Sequence, residues 1–155
     1  MASAIERRLL ERGLELPPAA APAGSYVPYT ISAKLRFVSG QLPVRNGKVA
    51  ITGRLGESVG LEQGQEAARL CALNLLAQAK SACAGDLDRL ARCLRLGGFV
   101  ASTPDFTEHA KIVNGASDLI ALAMGDAGKH ARLAVGCAGL PLDAAVEVEA
   151  TFELA

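Results

Sequence analysis

Three residues near the end of this chain have the types needed to hold a carboxylate and handle a proton: His130, Arg132 and Glu149. A guanidinium meets a carboxylate through two parallel hydrogen bonds, which the point charge of an ammonium cannot reproduce. A glutamate can orient and polarise a water. Whether the three converge depends on the strands that carry them. Ala131 to Cys137 reads as one strand and Val146 to Leu154 as another, with Gly139-Leu140-Pro141 as the turn between them. A turn centred between Leu140 and Pro141 would put Arg132 opposite Glu149 and Ala134 opposite Glu147. His130, two residues before Arg132, would share its face. The pairing has a plainer reading too, because a cross-strand Arg–Glu pair contributes about 0.2–1 kcal/mol of ordinary sheet stability.

Other chemistry finds less support. Ser39 and His130 do not make a hydrolase: the chain has no GxSxG elbow and no Asp placed to orient the imidazole. The glycines of GRLGESVG, together with Gly64, lack both GxGxxG and the GK[ST] of a phosphate loop, so a flexible loop before a helix is expected there. The four cysteines (Cys71, Cys83, Cys93, Cys137) form no CxxC, and the two histidines, His109 and His130, lie far apart in sequence. A structural zinc site is therefore rejected, and no metal or cofactor is expected. Cys71, Cys83 and Cys93 read as core residues and His109 as a solvated helix residue.

The elements that must position these residues follow from periodicity and punctuation. Ser3 to Gly13 is predicted as a short helix, with Ser3 and Glu6 at capping-box spacing and Gly13 as its stop. LPPAAAPAG, from Leu16 to Gly24, is a stiff extended linker. Val27, Tyr29 and Ile31 alternate as a strand that Pro28 confines to an edge, and Leu35 to Val38 is a second strand leading into Ser39-Gly40. Asn46-Gly47 marks a hairpin. Glu62 to Ala84 reads as a long helix with its core stripe at Ala68, Cys71, Ala72, Leu75, Leu76 and Ala79, stopped by Gly85. Leu90 to Val100 reads as a strand in which Gly97-Gly98 marks a bulge or a close approach. Thr103-Pro104 is expected to open a second long helix, with a stripe of Phe106, Ala110, Val113, Ser117, Ile120 and Met124. The order β-β-α-β-α-β-β, with right-handed crossovers, predicts an α+β two-layer sandwich: a mixed sheet with two helices on one face. The other face is then left to solvent or to an oligomer partner.

Composition bounds the function. With 155 residues and 50% hydrophobic content, the chain is one domain, or one plus a short arm, and needs no disulfide or metal to hold its core. Sixteen Lys and Arg balance sixteen Asp and Glu, there is no Trp, and aromatics make up 4%, so neither nucleic acid nor a membrane surface is an expected partner. MASAIERRLL lacks the apolar stretch of a signal peptide and no apolar run is long enough to span a bilayer, so the expectation is a cytoplasmic protein with reduced thiols.

SYVPYTISAKLRFVSGQLP, followed by DFTEHAKIVNGASDL and HARLAVGCAGLPLDAAVEVEA, resembles the RidA/YjgF family of reactive-intermediate deaminases, also described as endoribonuclease L-PSP-like. The resemblance divides the chain into an arm and Pro-rich linker at 1–24 and a RidA-like α+β domain at 25–155, and is closest to a longer branch of that family. It implies a chorismate-mutase-like fold of the bacillus type, a homotrimer, and small-molecule clefts between subunits. The implied activity is hydrolysis of a small 2-imino or enamino acid to a 2-keto acid and ammonia. Arg132 would clamp the carboxylate, Glu149 would orient the water, Tyr26 would form an aromatic wall, Asn114 would line the cleft and Gly40 would offer a backbone contact. His130 joins this set through its place beside Arg132. One departure stands out: where the family archetype has a Cys, this chain has Ala134. Imine hydrolysis asks mainly for orientation and a placed water. The departure equally fits a small-molecule-binding or regulatory trimer without turnover. Ribonuclease or translation-inhibitor activity, also described in the family, finds no basic stripe here.

Overall fold

The computed structural model describes residues 1–155. Helix α1 (Ala4–Leu10) starts with the expected capping box: Ser3 Oγ accepts from the Glu6 N–H at 3.1 Å and Glu6 Oε2 accepts from the Ser3 N–H at 2.8 Å. Its Ile5 and Leu9 are buried in the main core, so this segment is packed onto the body. The extended linker leads to β1 (Tyr29–Ser32) and β2 (Leu35–Gln41), and a small hairpin, β3 (Val44–Arg45) and β4 (Lys48–Val49), turns at Asn46-Gly47 with both residues at positive φ. That is the backbone a two-residue primed turn requires.

Helix α2 (Leu61–Ala82) presents the whole expected stripe to the core, with Ala68, Cys71, Ala72, Leu75, Leu76 and Ala79 all fully buried. Its C-terminal carbonyls are met by Arg36, whose Nε donates to the Ala82 carbonyl at 3.2 Å. Strand β5 (Leu90–Ala101) follows, then α3 (His109–Met124), β6 (Ala131–Cys137) and β7 (Val146–Leu154). The main sheet has the order β1-β2-β7-β5-β6; β5 and β6 are parallel and the other pairs antiparallel. Helices α2 and α3 cover one face, giving the α+β two-layer sandwich that the element order predicts. β1 is an edge strand, as Pro28 demanded.

Three expectations need correction. First, β6 and β7 do not pair: both flank β5, with Arg132 opposite Leu96 and Glu149 opposite Gly97. A tight hairpin needs positive φ at its turn residues, and Pro141 is locked near −65°. The chain instead makes a short turn at Pro141–Asp143, with Leu142 and Asp143 at positive φ, and runs on past the end of β5, where the Ala145 N–H bonds to the Ile51 carbonyl. β7, whose apolar residues are all buried, takes a central slot, and the half-exposed β6 takes the edge. Second, α3 begins at His109; Thr103-Pro104 forms only an isolated turn, in which the Thr103 N–H is bound to the Leu55 carbonyl. The buried face of the helix is also rotated from the expected stripe. Val113, Ile120 and Met124 are buried along with Ile112, Ala116, Leu119 and Ala123, whereas Ala110 is exposed and Ser117 half-exposed. Third, His109 is not a solvated residue: it is half-buried, with Nε2 3.2 Å from Ser102 Oγ.

Gly97-Gly98 marks close approach on both sides of β5. A Cβ on Gly98 would meet the Val113 side chain of α3 at 2.5 Å, and one on Gly97 would meet Glu149 Oε1 at 2.7 Å. The bulges of β5 lie elsewhere, between Leu90 and Arg95. The helix-free face carries Phe37, Val135 and Glu147 together with the ion pairs Arg92–Glu153 and Arg95–Glu149. No helix is long and apolar enough to cross a membrane.

Candidate functional site

Two clusters of candidate residues form, one at the β6 edge of the sheet and one where β2 meets the central β7. The first is built on β6 and α3. Arg132 pairs with Leu96, which is fully buried beneath the helices, so the guanidinium points to the helix side of the sheet. There Nη1 donates to Asn114 Oδ1 at 2.8 Å and to Ser117 Oγ at 3.1 Å, while Nη2 donates to the Ala110 carbonyl at 3.3 Å. Residues 110, 114 and 117 lie on one helix face by their spacing. The helix thus occupies both Nη1 hydrogens and one on Nη2. The Nε–H and one Nη2–H have no partner in the chain, and Nε and Nη2 are the two nitrogens of the guanidinium edge that can grip a carboxylate. Asn114 and Arg132 are therefore brought together. His130 lies behind them, with Nε2 2.8 Å from Ser117 Oγ and Nδ1 2.6 Å from the Gly128 carbonyl. Both its ring nitrogens are engaged within the chain.

The second cluster is built on β2 and β7. The β2–β7 ladder slips between Val38 and Gln41, and Gly40 lies in the irregularity. A Cβ at Gly40 would stand 3.0 Å from Glu147 Cδ, so the missing side chain lets the Glu147 carboxylate rest against the backbone. Glu147 is half-buried; burial and then the Glu149 charge push its carboxyl above the usual range. Gly40 also lines a cavity of about 340 Å³, walled by Tyr26, Leu42 and the linker residues Ala20–Ala23. The linker is pinned there by the buried Gln78, whose Nε2 donates to the Ala20 carbonyl at 2.7 Å. Tyr26 and Gly40 are thus brought together.

Arg132 and Glu149 are not. With β5 between β6 and β7, their backbones lie about 10 Å apart, two strand spacings. Their side chains also leave opposite faces, Arg132 toward the helices and Glu149 on the open face. There Glu149 Oε1 accepts from Arg95 Nη1 at 3.0 Å over Gly97, so Glu149 is ion-paired with Arg95 instead of Arg132. Sequence reasoning missed Glu147 as a site candidate. The alternating Glu147-Val148-Glu149 puts both acids on one face; only the approach of Gly40 and the resulting burial single one out. It missed Ser117 too, through the rotated helix stripe. Ala134 pairs with Gly98 and packs against the core, and Cys137 lies on the open face, its thiol pushed up by burial and by Glu147. No three His, Cys, Asp or Glu side chains gather as a metal site.

Comparison with known proteins agrees with this architecture. Residues 6–154 match the family model described as "YjgF/chorismate mutase-like, putative endoribonuclease". The Trypanosoma cruzi protein TCP17 is 49% identical over 151 residues, 97% of this chain and 94% of that protein. A crystal structure of an Agrobacterium tumefaciens protein of unknown function superposes with a TM-score of 0.93 at 51% identity, covering 98% of this chain and 93% of that one. A Shewanella oneidensis structure, named in the same endoribonuclease terms, gives a TM-score of 0.94 at 38% identity, covering 99% of this chain and all of the other. The sheet order, the paired helices on one face and the match along almost the whole chain lead to one conclusion: this chain belongs to the YjgF/chorismate mutase-like family.

Proposed function

We propose that this protein is an imine/enamine deaminase-like hydrolase that converts a small 2-imino or enamino acid to a 2-keto acid and ammonia at a site shared between two copies of the chain. The observation that carries this reading is the Arg132 guanidinium, fixed by α3 through three of its five hydrogens and left with Nε–H and one Nη2–H free. A two-point fork on an edge strand fits a carboxylate, the group that 2-imino and 2-keto acids have in common. The chemistry then needs a water held against the imine carbon by a base. Glu147 has the burial and the raised proton affinity that suit a base, whereas Glu149 is tied to Arg95. Since one chain holds Arg132 and Glu147 far apart, the second half must come from a neighbour. The helix-free face and the unpaired outer edge of β6 offer the surfaces for it, and a closed homotrimer is the assembly we propose. Four free cysteines suit a reducing cytoplasm.

The alternative is a trimer that binds 2-keto or related carboxylic acids without turnover. Ala134 favours it, because no thiol lies beside the fork. RNA has less in its favour: Arg45, Arg54, Arg69, Arg92 and Arg95 are each paired with a glutamate, leaving no continuous basic track.

Calorimetry with pyruvate and 2-oxobutyrate, beside an assay of ammonia release from 2-aminoacrylate generated in situ, separates these readings. Arg132→Lys should weaken keto-acid binding by about 2–5 kcal/mol, nearly as much as Arg132→Ala. Glu147→Gln should keep or tighten binding while lowering turnover about 10²–10⁴-fold, and Glu149→Gln should change turnover little. Turnover lost in Glu149→Gln but retained in Glu147→Gln would reverse the assignment. Binding at Arg132 with no turnover in the wild type would leave the carboxylate-binding trimer.

A further inference from the structure

We infer that His130 and Ser117 form a positioning relay that orients the Arg132 guanidinium, so that His130 sets carboxylate affinity without touching the ligand. The inference rests on the reading of Arg132 as the carboxylate clamp, and it deepens that reading.

Proton accounting gives the relay a direction. The Gly128 carbonyl can only accept, so the hydrogen between it and the imidazole belongs to Nδ1, at 2.6 Å. In the neutral ring Nε2 then has no hydrogen and is an acceptor. The hydrogen bond at 2.8 Å is therefore donated by the Ser117 hydroxyl. With its one hydrogen committed to His130, Ser117 Oγ presents lone pairs to Arg132 Nη1 at 3.1 Å. Each link fixes the next: carbonyl, tautomer, hydroxyl direction, guanidinium. Asn114 Oδ1 takes the other Nη1 hydrogen and the Ala110 carbonyl one on Nη2, so Ser117 supplies one of the three contacts that fix the guanidinium on the helix.

The base of the relay is rigid. Gly128 is buried at the end of the turn Gly125–Gly128, and a Cβ there would stand 2.6 Å from the Ile120 carbonyl, so this turn lies directly on α3. Helix α3 also supplies Ser117, Asn114 and Ala110. The whole device is thus referenced to one helix, while Arg132 comes from the neighbouring edge strand.

The test is a double-mutant cycle read by calorimetry with pyruvate. Ser117→Ala and His130→Ala should each weaken binding about three- to tenfold, the scale of one neutral hydrogen bond. The double variant should be no weaker than either single variant, because both break the same chain of contacts. Ser117→Thr keeps the hydroxyl and should bind like the wild type. Melting temperatures, measured alongside, identify any variant that is merely unfolded. If Arg132→Lys binds pyruvate as tightly as the wild type, the clamp reading falls and the relay with it. If Arg132→Lys loses binding but the Ser117 and His130 variants keep it, the relay alone is overturned. The relay is likewise overturned if the two losses multiply in the double variant, or if Ser117→Thr loses as much as Ser117→Ala.

Discussion

Two inactive variants should restore each other if the site is shared between copies. Arg132→Ala removes the open fork on β6, and Glu147→Gln removes the half-buried carboxylate on β7. These groups leave opposite faces of one sheet with β5 between them. In a closed head-to-tail ring, each site would take Arg132 from one copy and Glu147 from the next. Co-expressing the variants with different tags and purifying through both yields only mixed rings. A mixed ring of three holds two copies of one variant and one of the other. Whichever is in the majority, one junction joins an intact Arg132 to an intact Glu147, so about a third of the sites are whole. Each parent should retain about 10⁻²–10⁻⁴ of wild-type ammonia release, so recovery to a third stands far above background. A mixed dimer would give about half, so the same number reports the size of the ring. Mixed rings no more active than their parents, from a wild type that turns over, would refute the shared site.

Three further outcomes follow from the packing. Gly115→Ala places a methyl 2.1 Å from the Gln65 carbonyl, where α2 and α3 touch. It should cost at least about 1–3 kcal/mol, read as a lower midpoint in urea, despite the better helix propensity of Ala. In Glu6, burial pushes the carboxyl up, but Lys80 and the Ser3 donors outweigh it and hold it down at about 2. A depressed acid contributes stability above its unfolded value near 4.5 and loses it as pH falls toward 2. With Lys80 partly exposed, the difference between wild type and Glu6→Gln should be about 1–2 kcal/mol at pH 7 and vanish near pH 2. Ala134→Cys should leave imine turnover nearly unchanged, because a thiol near its ordinary pKa of about 8.5 is a poor base at neutral pH; a large gain would show that the thiol carries chemistry.

The local signals in this chain were legible without coordinates. The capping box at Ser3 and Glu6, the primed turn at Asn46-Gly47, the buried stripe of α2 and the alternation of β7 each follow from chemistry within a few residues. So does the two-layer class, since long helices between strands must cross over one face of a sheet. Pairing was different. β6 and β7 are neighbours in sequence, and a hairpin was the economical expectation; yet which strand fills a central slot is decided by competition for burial among all five. Val146, Val148, Ala150, Phe152 and Leu154 won that slot for β7, which put β5 between Arg132 and Glu149 and sent their side chains to opposite faces. Helix α3 likewise starts at His109, beyond the expected Thr103-Pro104, and buries a different face. That shift turned Ser117 from an expected core residue into the contact between His130 and Arg132. Residue type and strand pattern nominate Arg132, and the family resemblance nominates Asn114. The same reading settles on Glu149 and passes over Glu147, because two acids on one strand face differ only in what the rest of the fold brings against them: Gly40 for one, Arg95 for the other.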